Sequence, residues 1–390
     1  MAGALLLLAG CQDDGGSGGS AASSSSPPPE EPGPASVSLS VADGSADVSP
    51  VVPLEISVTD GELGEVTLVD AAGALVPGSV ADSPRDPATD VWTPEGELAY
   101  GATYTLRAGA EGTDGQPVEA SSTFTTVDPA EVSTPSIGPL DGQTVGVGMP
   151  IRVYFDQPVT DQAAVESHLL VQSSTPTDGV WSWLSATEVH FRPSTYWPAN
   201  IDVTLHADLY GVSFGDGVWG EKDRTVSFRV GDEHVSIADA ATHTMEVYEN
   251  DRLVQTYPIS AGSDDNPSHN GVHVVTELNR DRVMDSSTYG VPVDSPGGYR
   301  TPVEYAVRIS NNGEFVHAAP WSVAQQGNAN VSHGCINMST ERAAWFFDFS
   351  QPGDIVEIRN SIGPPLGPAD GDIHDWTIPW DQWRAGSALQ

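Results

Sequence analysis

Apolar residues along most of this chain fall on alternate positions rather than at helical spacing. Leu54-Glu55-Ile56-Ser57-Val58 and Tyr104-Thr105-Leu106 are clear cases, each bounded by turn residues, as half-buried strands require. The plan then repeats. Asp43-Gly44 followed by Pro53-Leu54-Glu55-Ile56 is echoed by Asp141-Gly142 followed by Pro150-Ile151-Arg152-Val153. Tyr104-Thr105-Leu106 is echoed by Val203-Thr204-Leu205, and Phe124 by Phe228. The interval of roughly 100 residues is the size of one immunoglobulin-like sandwich. Two such sandwiches are predicted, over 37–128 and 129–231. Neither clusters catalytic residue types, so both read as spacers, with a binding role left open.

The segment 232–360 differs in character. Strand-like runs cover 235–238, 245–248 and 253–259, with Asn250-Asp251 as a turn. Two more, 303–309 and 314–318, are joined by Asn311-Asn312-Gly313, a strong hairpin signal. One helix is predicted over 341–349, with Ser339 and Thr340 as candidate caps. Residues 361–390 hold Trp376, Trp380 and Trp383 with little regular pattern. Aromatics at that density pack on a neighbour, so this tail is expected to clamp the third segment against the second. The fold class is mainly β: two immunoglobulin-like sandwiches, then a β-rich domain with a short helix and a C-terminal tail. The 40 Gly and 31 Pro agree with many turns, and 390 residues suffice for several domains with their own cores.

Charge narrows the partners. The formal net charge is −39, and Lys222 is the one lysine. Such a field repels phosphate backbones, which excludes nucleic acid without naming another partner. The two cysteines, Cys11 and Cys335, lie far apart in contrasting contexts and do not read as a disulfide. Near the start, an apolar run too short to span a bilayer ends in Leu8-Ala9-Gly10-Cys11. Residues 12–34 are rich in Gly, Ser, Pro and acid, a composition that cannot bury enough surface to fold. Leu8-Ala9-Gly10-Cys11 resembles the cleavage site of bacterial lipoproteins. That resemblance implies a signal and linker over 1–36, lipidation at Cys11, and anchoring to the outer face of the cytoplasmic membrane.

The chemistry concentrates in Ser332-His333-Gly334-Cys335-Ile336-Asn337, preceded by His317. A thiol attacks as thiolate, and a free cysteine titrates near ~8.5. A neighbouring imidazole and nearby backbone N–H groups can lower that value, so His317 is the candidate base and Cys335 the candidate nucleophile. Gly334 lets the backbone turn sharply, which places the Gly334 and Cys335 N–H groups to hold an oxyanion. A carboxylate or a backbone carbonyl would serve as the group that accepts from His317. A buried, inert cysteine is the plain alternative, opposed by the polar neighbours Ser332, His333 and Asn337. A metal site is the other, since His269, His273, His317 and His333 could converge. His269 and His273, however, flank Asn270-Gly271, a turn, and Cys335 alone could add a thiolate. No metal and no cofactor are expected.

His317, fourteen residues, then Ser332-His333-Gly334-Cys335-Ile336-Asn337 resembles the signature of the L,D-transpeptidases, the YkuD-like family. It is similar above all to the actinobacterial lipoprotein type known from mycobacteria, which carries two immunoglobulin-like domains. The resemblance continues through Met284-Asp285-Ser286-Ser287-Thr288-Tyr289-Gly290, Gly298-Tyr299-Arg300, Ala319-Pro320-Trp321-Ser322-Val323 and Trp380-Asp381-Gln382-Trp383-Arg384. It implies a mobile flap over about 281–305. It also implies that Cys335 attacks the carbonyl before the terminal D-alanine of a peptidoglycan tetrapeptide stem, with His317 protonating the leaving D-alanine. The side-chain amine of a diaminopimelate residue on a second stem then takes the acyl group, giving a 3→3 cross-link. By the same mapping, Tyr299 with the Gly334 and Cys335 backbone faces the oxyanion, and the Ala318 carbonyl orients the imidazole. Met284, Tyr289, Trp321, Ser332, His333 and Asn337 line the pocket, and carbapenems acylate Cys335. Two readings stay open: an L,D-carboxypeptidase with water as acceptor, and a non-catalytic wall-binding lipoprotein.

Overall fold

The computed structural model describes residues 33–85, 89–370 and 373–390. Cys11 and its surroundings lie outside them. The first two units are two-sheet β sandwiches. In the first, a sheet of Ser36–Leu39, Leu54–Thr59, Thr89–Pro94 and Gly78–Asp82 faces one built around Thr103–Gly112 and Pro117–Thr126. Strand alternation turns Leu54, Ile56, Leu68, Leu106 and Phe124 into the space between. The second sandwich sets Ile151–Tyr154 and Glu188–Pro193 against Asp202–Ala207 and Arg224–Val230.

The sequence echo is a structural one. Asp43 accepts from the Thr123 N–H at 2.8 Å, and Asp141 from the Ser227 N–H at 2.9 Å. Gly44 and Gly142 each return a bond of 2.7 Å to the carbonyl of that same residue. Each Asp-Gly turn thereby pins its loop to the last strand of its own sandwich. Tyr104 pairs with Phe124 across one sheet, and Val203 with Phe228 across its counterpart.

The third unit has two sheets. One runs Arg252–Pro258, Thr244–Glu249, His234–Asp239, Ile355–Arg359, Gly271–Val274. The other runs Glu277–Asp285, Arg300–Arg308, Phe315–Ala318, Ile336–Met338. Its first two strands form a long hairpin whose tip spans the expected flap. The last two strands are parallel, with His317 opposite Asn337. The helix Thr340–Phe349 starts at Ser339, whose side chain accepts from the Arg342 N–H, and packs across the second sheet. Val247, Ile259, Val316, Ile336, Met338 and Phe346 centre this core.

The second and third units share apolar packing: Val274, Ile355 and Ile373 enter the core of the second sandwich. Their backbones also touch. The Gly146 and Gly148 N–H groups donate to Pro352 and Gly353 carbonyls at 2.8 Å, and a Cβ on Gly146 would lie 2.3 Å from the Asp354 nitrogen. Only glycine fits this seam. The C-terminal segment closes over it. Trp383 is fully buried and donates to the Val180 carbonyl at 2.9 Å, while Trp376 donates to that of Gly148 at 2.7 Å. The Arg192 guanidinium lies 4.8, 5.2 and 4.7 Å from the Trp376, Trp380 and Trp383 rings. Beside it His190, wholly buried, places one nitrogen 3.0 Å from Asp375 and the other 2.9 Å from Glu188.

Burial pushes the His190 imidazole down, but Asp375, by charge and hydrogen bond, and then Glu188 reverse this and hold it at about 9, above its ordinary 6.5. The resulting stabilisation is complete below the unfolded value of 6.5 and is lost as pH rises through about 9. Asp375→Asn should therefore flatten the fall in melting temperature across that window, as read by calorimetry of the full chain. Trp383→Ala should cost about 3–5 kcal/mol at every pH, the usual range for an aromatic deleted from a core.

Candidate active site

The parallel pair Phe315–Ala318 and Ile336–Met338 sorts its side chains by alternation. Val316, Ala318, Ile336 and Met338 go into the core. Phe315, His317, Cys335 and Asn337 take the other face. His317, Cys335 and Asn337 there line a cavity of about 390 Å³ together with Met284, Tyr299, Thr301, Val303, Trp321, Val331, Ser332 and His333. The strands Glu277–Asp285 and Arg300–Arg308 supply its roof. Tyr299, from the loop between them, meets the His333 ring at 5.0 Å.

His317 is buried, with Nδ1 2.9 Å from the Ala318 carbonyl. A carbonyl only accepts, so the proton of the neutral ring sits on Nδ1 and Nε2 is left as the basic nitrogen. Trp321 stands at 6.2 Å from this ring and is 59% exposed, so it forms an open wall of the cavity. Asn337, buried, donates to Ser322 Oγ at 3.2 Å.

The turn that carries Cys335 is braced on both sides. Ser332 Oγ donates to the Cys335 carbonyl at 2.6 Å and accepts from the Gly334 N–H at 3.1 Å. Ser268 Oγ donates to the Gly334 carbonyl at 2.6 Å. Gly334 has φ +116°, which disfavours any side chain there. These bonds correct one expectation: the Gly334 N–H is engaged by Ser332 and does not face the cavity as an oxyanion donor. Ser332, for its part, braces the turn as well as lining the wall.

A second correction concerns ionisation. Burial pushes the Cys335 thiol up to about 12, with Glu314 adding to the rise and a Phe315 backbone hydrogen bond opposing it. Burial likewise pushes His317 down to about 4, against its bond to Ala318. The resting pair is thus neutral thiol and neutral imidazole, because an ion pair made here would lose more hydration than it regains. The thiol donates to the Gly313 carbonyl at 3.5 Å.

All the expected pocket residues whose side chains are described line this one cavity, while Ala318 lies in the core and meets His317 through its carbonyl. The side chain of Tyr289 lies outside the described residues. Sequence reasoning missed Thr301 and Val303, on a strand, and Val331, in a loop, because none of the three carries a chemical signal. It also missed Glu314, a buried acidic residue between the hairpin turn and the strand Phe315–Ala318. Among the described residues no group of three or more His, Cys, Asp or Glu is arranged to hold a metal ion.

Comparison with known proteins gives the following. The family model of an L,D-transpeptidase catalytic domain matches residues 233–358, and that of a bacterial Ig domain matches 45–213, running across both sandwiches. L,D-transpeptidase 2 of Mycobacterium tuberculosis is 41% identical over 353 residues, covering 90% of this chain and 85% of that protein. L,D-transpeptidase 5 of the same organism is 39% identical, covering 92% and 79%. The solved LD transpeptidase LdtMt1 in complex with imipenem superposes with a TM-score of 0.52 at 38% identity, over 59% of this chain and 100% of that one.

A neutral resting thiol has a kinetic signature. Iodoacetamide should alkylate Cys335 at neutral pH at least ~100-fold more slowly than free cysteine, with a rate that climbs steadily towards alkaline pH. A fast rate, flat between roughly pH 5 and 9, would instead reveal a preformed thiolate–imidazolium pair.

Proposed function

The chain belongs to the L,D-transpeptidases, and on that premise we propose that Cys335 is the acylated nucleophile and His317 its base in forming 3→3 cross-links between peptidoglycan stems. The observation that carries this is the parallel register that sets both side chains on one cavity, with His317 Nδ1 satisfied by Ala318. Entry of a donor tetrapeptide displaces water and brings a carbonyl to the sulfur. Cys335 Sγ bonds to that carbon, the thiol proton passes to His317 Nε2, and negative charge moves onto the carbonyl oxygen. The Cys335 N–H and the Tyr299 hydroxyl are assigned to that oxygen. The charge separation that burial forbids at rest is then stabilised by fixed donors. Collapse breaks the C–N bond, and D-alanine leaves with the proton from His317.

The thioester next meets the side-chain amine of a diaminopimelate residue on a second stem. Its nitrogen attacks, His317 takes a proton, the C–S bond breaks and the thiol is restored with the amide formed. Met284, Trp321, His333 and Asn337 line the path of the two stems, with Tyr289 assigned beside them. Carbapenems would enter by the same attack, opening the lactam C–N bond. Leu8-Ala9-Gly10-Cys11 supports export with lipidation at Cys11 and residence at the cell wall, held to the membrane's outer face.

Incubation of a tetrapeptide donor should yield a cross-linked dimer with loss of D-alanine, read by mass spectrometry. Cys335→Ser should lower that rate by about 10³-fold or more, and His317→Gln comparably, since the pair acts as a unit. Tripeptide without dimer would show water to be the acceptor. Dimer formed at the normal rate by Cys335→Ser would defeat the assignment.

A further inference from the structure

Beneath the nucleophile turn, outside the cavity lining, lies a cluster of titratable groups that makes and breaks none of the bonds described above. At its centre is Glu314, buried. One carboxylate oxygen accepts from the His269 N–H at 2.8 Å and faces His269 Nδ1 at 3.1 Å. The other accepts from Ser310 Oγ at 3.1 Å and faces His273 Nε2 at 3.2 Å. His273 Nδ1 faces the Gly271 carbonyl at 3.1 Å, so both nitrogens of that ring meet acceptors.

The cluster reaches the nucleophile by two routes. Glu314 Cγ and Oε1 lie 3.5 and 3.6 Å from where a Cβ on Gly334 would stand, so the carboxylate rests against the turn itself. Ser268, one residue before His269, donates to the Gly334 carbonyl. Other charged or titratable groups stand around the same turn. His333 belongs to the turn and His317 lines the cavity beside it, Arg282 and Arg308 lie 4.9 and 5.0 Å from the Phe315 ring, and Asp370 lies 3.5 Å from His269. None of these approaches Glu314 as His269 and His273 do.

We propose that Glu314, held by His269 and His273, is a positioning residue for the thioester step: it supports the Gly334–Cys335 turn from beneath, and its charge sets how readily the thiol yields its proton. This rests on Cys335 being the nucleophile. A carboxylate removed from water persists only with several donors, and here the His269 N–H and Ser310 Oγ donate to it with two imidazoles in reach. Its donors hold it at about 2 despite burial, so it stays charged throughout the working range. A fixed negative charge beside a thiol disfavours the thiolate until an incoming carbonyl can carry that charge away.

The test is the pH dependence of acylation by a carbapenem, followed by intact-protein mass on the full chain. In that reaction Sγ bonds to the lactam carbonyl carbon, the C–N bond breaks, and the thiol proton ends on the nitrogen. Glu314→Gln removes the charge and should move the rising limb of the pH–rate profile to lower pH by about half to one unit. His273→Gln leaves the carboxylate less compensated and should move the limb upward. Loss of packing alone would slow both variants without shifting the limbs in opposite directions. Limbs that coincide with the parent's, or move the same way, overturn the proposal. Should Glu314→Gln fail to fold, His273→Gln decides alone, and no upward shift counts against it. An adduct on a Cys335→Ser control would defeat the nucleophile assignment instead, leaving the two failures distinct.

Discussion

Two short strands in parallel register hold the site together. Parallel neighbours cannot be joined by a tight turn and need a long crossover between them. Here the crossover runs from the end of Phe315–Ala318 to the start of Ile336–Met338. Its two ends are where His317 and Cys335 sit. The fourteen-residue spacing between the histidine and the Ser-His-Gly-Cys motif is therefore, in physical terms, the length of a crossover. Period-two alternation does the rest, sending one set of side chains into the core and the other into the cavity. A slip of one residue in this pairing would turn the imidazole into the core beside Ile336 and Met338 and abolish the site without removing any of its residues.

Desolvation governs what the site can do. The chain carries a net charge of −39, yet the described cavity lining holds no carboxylate and no fixed cation. Both reacting groups are buried, so each is driven towards its neutral form, the thiol up and the imidazole down. Reactivity then depends on what a substrate brings. A carbonyl oxygen that accepts negative charge within reach of fixed donors makes the proton transfer favourable at that moment and not before. The buried Glu314 carboxylate rests against the Gly334 turn and accepts from the His269 N–H and Ser310 Oγ, in keeping with a part in placing the turn.

The platform under this sheet is stiff where it touches the second sandwich and lighter where the first joins on. The second sandwich shares apolar core residues with the catalytic unit, and a glycine seam brings the two backbones into direct hydrogen bonding. Three tryptophans around Arg192 and the buried His190–Asp375 contact lock the C-terminal segment over that seam. The first sandwich keeps its own apolar cluster and meets the second through bonds such as Tyr210 to the Leu98 carbonyl and Tyr100 to that of Gly220, each at 2.7 Å, with the Tyr100 ring against Tyr210 and Trp219. Joints of that kind give way more easily than shared cores.

Local chemistry made much of this legible in the sequence. Alternating apolar positions marked the strands, the Asp-Gly echoes marked a repeat that the structure realises bond for bond, and Ser339 marked the helix start within a residue. Cys335 and His317 stood out in the same way as a candidate nucleophile and base, because that chemistry needs particular groups, while the part given to the Ala318 carbonyl came from the family resemblance. What tertiary structure decided was everything that depends on neighbours distant in the chain. The ionisation of Cys335 and His317 follows from how much water the whole fold removes, which no local pattern encodes. The Gly334 N–H was claimed by Ser332 through the shape of a turn. Glu314, His269 and His273 became one cluster only when a hairpin and a separate loop met beneath the nucleophile.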